Sequence, residues 1–198
     1  MAISDVTDAV QEGRLKRRDR MIAIYIAILA VVLAISSVGG NNADKDATRF
    51  NIRASNTWAF FQAKNIRRQL VRMKIDELDL RLASEDGLPE AARAALTKSI
   101  EQYRQTEARL TSEPETGEGT KELFVKGKAA EAARDRAIQQ DPYFDYGQAL
   151  LQIAIVLASI SIITGGSSLL VLSLITAVFG TAATLNGFTL AYSVPFLS

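Results

Sequence analysis

The chain has 198 residues, and its 23 lysines and arginines against 22 aspartates and glutamates leave a net charge of +1, which gives no general attraction for nucleic acid. It contains neither cysteine nor histidine. This composition excludes disulfides, thiol redox chemistry, cysteine–histidine catalytic pairs, iron–sulfur clusters and ordinary zinc sites. No acid–base pair or activated nucleophile stands out either, so we expect no enzymatic activity, no catalytic residue, no cofactor or metal, and no small-molecule substrate.

The charged residues are confined to two parts of the chain. No charge occurs in residues 21–43 or in residues 146–198. An apolar run of about 18 residues or more is long enough to cross the hydrocarbon core of a bilayer. We therefore predict three transmembrane helices, over residues 21–40, 142–164 and 167–192.

Turn-forming residues set the limits of the last two spans. Asp141 and Pro142 have the residue types of an N-cap and a first helical position, which predicts a new helix starting there. Gly165 and Gly166 interrupt the apolar run, and Ser167 is predicted to cap the third span within a five-residue turn.

A basic cluster within residues 1–20 precedes the first span. Its members are Arg14, Lys16, Arg17, Arg18 and Arg20. The positive-inside rule places this segment in the cytoplasm and the insert 41–141 on the other side, in the periplasm if the membrane is a bacterial inner membrane. The insert carries the other 18 lysines and arginines (23 less these five), which the rule counts against this orientation. The apolar run is longer than the core of a signal peptide, so we expect an uncleaved anchor.

Small residues recur at alternating steps of three and four in each span, which places them on one helix face. The sets are Ala23, Ala27, Ala30, Ala34 and Ser37; Ala154, Ala158, Ser161 and Gly165; and Ser173, Thr176, Gly180, Thr184 and Gly187. Helices in a bilayer associate where small residues let their backbones approach, so these faces are predicted to pack. The alternative is a polar path lined by six side chains: Ser173, Thr176, Thr184, Asn186, Gln148 and Gln152.

The insert 41–141 is predicted to form an antiparallel, coiled-coil-like helical stalk between spans one and two. An ascending arm, 42–82, is followed by a descending arm, 88–141, which is interrupted at 112–120. Apolar stripes at helical spacing are predicted to pair the helices. They comprise Ala59, Ala63, Ile66, Leu70 and Met73; Ala92, Leu96, Ile100, Tyr103 and Leu110; and Ala130, Ala133 and Ala137. The fold class is thus an all-α membrane protein.

Aromatic side chains should meet where the two arms lie at the same height. This places Trp58 and Phe61 near Leu123 and Phe124, as a core cluster of the stalk or, alternatively, as a ligand pocket. The segment GEGTK (117–121) lacks the spacing of a phosphate-binding loop, and the acidic residues of 113–118 lack the EF-hand pattern, so a turn is predicted there.

Four segments of the chain carry a family resemblance. They are SSVGGNNA (36–43), SNTWAFFQAKNIRRQL (55–70), SEPETGEGTKEL (112–123) and DPYFDYGQALLQIAIVLASI (141–160). With WAFFQAK and DPYFDY as its markers, the chain resembles a bacterial family of small membrane proteins catalogued only as a domain of unknown function. The resemblance implies three spans, a helical insert and no assigned activity or catalytic residues.

We expect a non-enzymatic accessory or scaffold protein, in contact with the lipid bilayer and either self-associating as a homo-oligomer or attached to other membrane proteins. An extracytoplasmic sensor or transducer is one alternative, although only about 20 residues precede the first span. A subunit of an oligomeric channel or transporter is the other. Intramembrane charges, the usual mark of ion conduction, are absent from the spans.

Overall fold

The computed structural model describes residues 3–85 and 87–193, with side chains from Lys16 onward. Within these residues the chain forms four α-helices and no strand. They are α1 (Ile3–Ser84), α2 (Glu90–Thr111), α3 (Thr120–Thr164) and α4 (Ser167–Thr189). Three of them, α1, α3 and α4, are long and apolar enough to cross a membrane. The all-helical fold and the three helices of spanning length are confirmed.

The helices are divided between two compact units. The first, which we call the hairpin unit, contains α1 up to Ala47 and the chain from Asp135 onward. The second, the insert unit, contains Thr48–Arg134. It comprises the rest of α1, all of α2 and the start of α3.

The hairpin unit packs small side chains of three helices around a few large ones. Leu29, Leu151, Ala154 and Ala177 form its buried core, with Tyr25 at the edge. Small residues placed opposite large ones let helices approach closely in a membrane, where the hydrophobic effect does not drive helices together.

Phe144 is the large residue at the other end of the hairpin unit, and only 1% of its surface is exposed. A methyl group on Gly39 would lie 2.5 Å from the Phe144 ring, and one on Gly187 would lie 3.0 Å from it. Phe188 packs edge-on against the same ring, with 4.8 Å between ring centroids. A side chain in place of Gly39 would therefore displace this ring, and one in place of Gly187 would crowd it.

The insert unit has a conventional hydrophobic core. Ile75 and Leu78 of α1 pack against Ile100 of α2, with Leu96 and Tyr103 partly buried beside them. The α2 stripe Ala92, Leu96, Ile100, Tyr103 and Leu110 is buried or half-buried, as predicted, and so is the α3 set Ala130, Ala133 and Ala137.

One predicted helix start is wrong. No helix starts at Asp141, because α3 continues from Thr120 to Thr164 with Pro142 inside it. A proline costs one backbone hydrogen bond, but Ala137, Tyr143 and Phe144 on either side of it are buried, and their packing favours a continuous helix.

The turn between the last two helices is also shorter than predicted. Gly166, with extended backbone, is the N-cap of α4, and no side-chain hydrogen bond caps this helix, so Ser167 is not its cap. Only Gly165 and Gly166 connect the helices, and Gly165 has the left-handed backbone (φ 69°) that glycine adopts readily. Helix α4 ends at Thr189, three residues before the predicted limit.

Candidate functional site

The predicted aromatic cluster is present in the insert unit. The Trp58 ring meets Phe61 and Phe124 edge-on, with centroid distances of 5.4 and 5.5 Å, and Phe61 lies 6.2 Å from Phe124. Leu123 is buried. Edge-to-face packing of this kind adds about 0.5–1.5 kcal/mol per pair beyond surface burial. The prediction that Trp58 and Phe61 pack near Phe124 is confirmed.

The contacts of Trp58 favour a structural cluster over a ligand pocket. Its indole N–H donates to Glu131 Oε1 at 2.9 Å, and the Lys128 ammonium lies 5.7 Å from the ring centre. A methyl group on Gly127 would come within 2.9 Å of the indole, so the ring lies directly on the α3 backbone. The ring and its polar edge thus have partners within the chain.

The glycine- and glutamate-rich segment between α2 and α3 is a structured connection. Ser112 donates to Glu122 Oε1 at 2.6 Å and the backbone N–H of Glu113 donates to Oε2 at 3.2 Å, so one carboxylate joins the end of α2 to the start of α3. Lys64 of α1 lies 3.8 Å from Glu113 and 3.6 Å from Glu118. The turn predicted here is confirmed.

Two glutamates of this connection have lowered pKa values. Hydrogen bonds from Arg109 and then Thr116 lower the pKa of Glu113 from its ordinary value of 4.5. The hydroxyl of Ser112 does the same for the pKa of Glu122. Lys126 donates to the carbonyl of Gly117 at 2.6 Å, so its ammonium group binds the backbone of the turn. Cations of the same unit thus pair with Glu113 and Glu118 of this connection.

Buried hydroxyl groups join the three helices of the hairpin unit. Ser173 of α4 donates to the carbonyl of Ala154 at 2.7 Å. Its only hydroxyl proton is used there, so the Tyr25 hydroxyl, 3.1 Å away, donates to Ser173 and links α1 to both other helices.

A second link lies further along the same helices. Ser36 of α1 donates to the carbonyl of Phe144 at 3.3 Å, and the Thr184 hydroxyl lies 3.0 Å from Ser36 and 2.9 Å from the carbonyl of Gly180. All of the buried side-chain polar atoms in the described part of the chain have a hydrogen-bond partner. In an apolar medium such pairing avoids the cost of an unsatisfied group.

The structure gives four of the six residues of the alternative polar path hydrogen-bond partners within the chain. Ser173 and Thr184 are buried and bonded as described, whereas Gln152 is exposed. Thr176 donates to the carbonyl of Leu172 on its own helix, and Asn186 binds the backbone of Tyr192. These groups therefore hold helices and a chain end in place.

The predicted small-residue faces differ in outcome. On α4 the face is confirmed: Ser173, Gly180, Thr184 and Gly187 are buried, and Thr176 is half-buried. On α3, Ala154, Ala158 and Ser161 are buried, while Gly165 is exposed in the turn. On α1 the face does not pack within the chain, because Ala23, Ala27, Ala30 and Ala34 are exposed and Ser37 is half-buried. Helix α1 instead buries Ile22, Leu29 and Ser36.

The stripe predicted on the first arm does not pack within the insert unit either. Ala59, Ala63, Ile66, Leu70 and Met73 are all exposed. Inside the insert unit, α1 packs through another face of the helix, which carries Ala54, Trp58, Ile75 and Leu78. Both faces have helical spacing, so spacing alone could not separate them.

Arg18 has a role that sequence reasoning missed. Its guanidinium donates to the carbonyl of Gly165 at 2.7 Å and to that of Ser161 at 3.0 Å, at the free end of α3. Ser161 in turn donates to the carbonyl of Gly166 at 2.7 Å. A cation at a helix C-terminus binds carbonyls that lack partners within the helix. The basic cluster before an apolar run was a visible signal, but nothing in it marked Arg18 above its neighbours.

Comparison with known proteins gives one positive result. No curated protein matches the chain, and no solved structure matches it. Residues 18–190 match the family described as a domain of unknown function (DUF4337). This range includes the first span, the whole insert unit and α4, so the chain belongs to this family.

Proposed function

We propose that this protein is a non-enzymatic scaffold or accessory protein of the bacterial cytoplasmic membrane, which associates with itself or with other membrane proteins. The observation that carries the proposal is the use of its buried polar side chains. Tyr25, Ser36, Ser173 and Thr184 bind neighbouring helices, and Trp58 and its carboxylate partner bind each other. Polar groups that bind one another in this way stabilise the packing of the helices.

We infer that the insert unit is an antiparallel helical stalk outside the cytoplasm. Contact partners within it run in opposite directions along the chain: Asp79 pairs with Arg104, Arg68 with Thr120, and Trp58 with Phe124 and Glu131. Residue numbers fall on one side as they rise on the other, which is the order that antiparallel arms require.

The orientation in the membrane rests on the positive-inside rule together with Arg18. Arg18 belongs to the basic cluster and binds the carbonyls at the turn between α3 and α4. That turn carries no charge of its own, so its contact with Arg18 supports a location of both on the side that basic residues favour, the cytoplasm. The insert then lies on the opposite side.

Association in native membranes tests the scaffold role. The full-length protein, tagged and expressed at its natural level, should be cross-linked in intact cells to copies of itself or to a fixed set of membrane proteins. The cross-linked products, identified by mass spectrometry, should be much enriched over those of an unrelated three-span protein of equal abundance. Recovery of the uncross-linked monomer alone would contradict the proposal.

A further inference from the structure

The insert unit leaves an apolar stripe of α1 uncovered. Its larger members are the following, with their exposed fractions: Ile52 56%, Ile66 59%, Leu70 59%, Met73 66% and Leu80 69%. The face that packs within the unit, with Ile75 and Leu78, lies on the other side of the same helix. An exposed row of large apolar side chains on an otherwise charged helix is typical of an interaction surface.

The stripe follows a strict seven-residue repeat. Taken as successive d and a positions of a heptad, it comprises Ile52, Asn56, Ala59, Ala63, Ile66, Leu70, Met73, Glu77 and Leu80. Seven of these nine positions are apolar, over four heptads, which is the pattern of a coiled-coil seam. We call this set of nine residues the heptad stripe. The unit's own α2 and α3 do not use it, since its members are exposed.

The two edges of the heptad stripe differ in charge. The e positions on one edge are mostly basic: Arg53, Phe60, Arg67, Lys74 and Arg81. The g positions on the other edge carry no basic residue: Ser55, Gln62, Gln69 and Asp76. In a parallel pair of helices, g positions face the e positions of the partner, whereas in an antiparallel pair e faces e.

We propose that two copies of this chain associate in parallel through their heptad stripes. In that arrangement Asp76 of each copy faces the second copy's Arg81, and the two glutamines face the second copy's Arg67 and Lys74. An antiparallel pair would instead bring the mostly basic e edge of one copy against the mostly basic e edge of the other. The charge asymmetry of the stripe therefore selects parallel association with an identical stripe.

Two further features fit a second copy as the occupant. Asn56 occupies an a position, where a buried asparagine pairs with its twin and fixes the register of parallel coiled coils. Arg81 is bonded to Glu85 at 3.0 Å, but both side chains are about half-exposed, so this pair costs little to exchange for Asp76 of a second copy.

The inference deepens the proposed scaffold role and rests on it for one premise. Two copies inserted in one membrane in the same orientation are related by an axis normal to the bilayer, so their equivalent helices run parallel. Membrane insertion and edge charges thus require the same arrangement independently.

Disulfide cross-linking of the full-length protein in native membranes tests the proposal. The chain contains no cysteine, so each single-cysteine variant reports one position. Leu70→Cys places a thiol at an a position, where twin residues of a parallel pair lie within disulfide reach, and Met73→Cys does so at a d position. Arg72→Cys is the matched control, because Arg72 is exposed on the same helix but off the stripe.

On mild oxidation, Leu70→Cys and Met73→Cys should give a product of twice the chain mass with a yield several-fold above that of Arg72→Cys. Equal yields from all three would overturn the proposal, and so would a cross-linked product of any other mass. Protection of both stripe thiols from a water-soluble maleimide, without cross-linking, would mean that a different protein or the bilayer covers the stripe.

The outcomes also separate this inference from the scaffold role. If the stripe cysteines fail to cross-link while the protein still captures other membrane proteins, the pairing is wrong and the scaffold role stands. If the protein is recovered as a monomer in both experiments, both proposals fail.

Discussion

The two units of this chain are held together by different chemistry, although both are made of helices. The hairpin unit relies on glycine, alanine and buried hydroxyls, with Phe144 set against Gly39 and Gly187. The insert unit relies on aromatic rings, branched aliphatics and ion pairs, with Trp58 and Ile75 at its centre. Water drives apolar side chains together, whereas lipid does not, so close backbone approach and hydrogen bonds must replace the hydrophobic effect in a membrane.

Removing the tryptophan should have the largest effect, and only on the insert unit. Trp58→Ala deletes two ring contacts and leaves Glu131 without its indole donor. Deleting a buried large aromatic costs ~3–5 kcal/mol, and the half-buried Trp58 belongs at the lower end. Limited proteolysis should show faster cleavage at residues 112–119, while membrane insertion is unchanged. Arg72→Ala, at an exposed position of the same helix outside the heptad stripe, is the control and should behave like the wild type.

Filling a glycine contact should disturb the hairpin unit in the complementary way. A methyl group at Gly180 would already lie 3.0 Å from Leu151 and 3.1 Å from the Gly147 carbonyl, so Gly180→Leu forces α3 and α4 apart. Overpacking of this kind costs ~1–3 kcal/mol. The melting temperature in detergent should fall, but not for Leu172→Ile, at an exposed position of the same helix. Similar melting of the two variants would mean that the α4 face is not a packing face.

Arg18 should contribute less, because its side chain is only half-buried. Arg18→Gln removes the fork that binds the carbonyls of Ser161 and Gly165, at a cost of about 1 kcal/mol. Arg18→Lys keeps the charge without the fork and should recover part of the melting temperature. Arg17→Gln, at an exposed position one residue earlier, should have no effect. If the melting temperature of Arg17→Gln fell as much as that of Arg18→Gln, net charge and not the carbonyl contacts would account for the effect.

Acid should weaken the connection between α2 and α3. The pKa values of Glu113 and Glu122 are lowered in the folded chain, so their stabilising effect is present above the unfolded value of 4.5 and is lost as the pH falls below it. Hydrogen exchange at residues 112–119 should therefore accelerate below about pH 4.5, with little change in α4. In Glu122→Gln this acceleration should be smaller. A uniform response of both units would contradict the assignment.

Charge distribution and glycine placement were sufficient to predict the three apolar helices, the interruption near residue 112 and the turn at Gly165. They predicted the aromatic cluster too, because the positions that face each other in two antiparallel helices can be found by counting residues along each helix. These features depend on local composition and on chain length, both of which the sequence states directly.

The choice of packing face on α1 could not be predicted from spacing. Around residues 52–82 two apolar stripes coexist, and only contact with α2 distinguishes Ile75 and Leu78 from Leu70 and Met73. In the first span nearly every residue is apolar, so the positions of the alanines did not indicate which face of the helix packs. The Phe144 ring packs against the Gly39 face instead. That contact depends on how well two segments far apart in the sequence fit together in shape.

Cysteine accessibility along α1 tests the central proposal most directly. The proposal is that this helix runs from the lipid bilayer into water on the side opposite the cytoplasm. Ile28 and Ser84 are both exposed on α1, so Ile28→Cys and Ser84→Cys differ in their surroundings and not in burial within the chain. In intact cells whose outer membrane has been made permeable, a membrane-impermeant maleimide should label Ser84→Cys and leave Ile28→Cys unlabelled. Labelling of Ile28→Cys to the same extent, or of Ser84→Cys only after lysis of the inner membrane, would contradict the account.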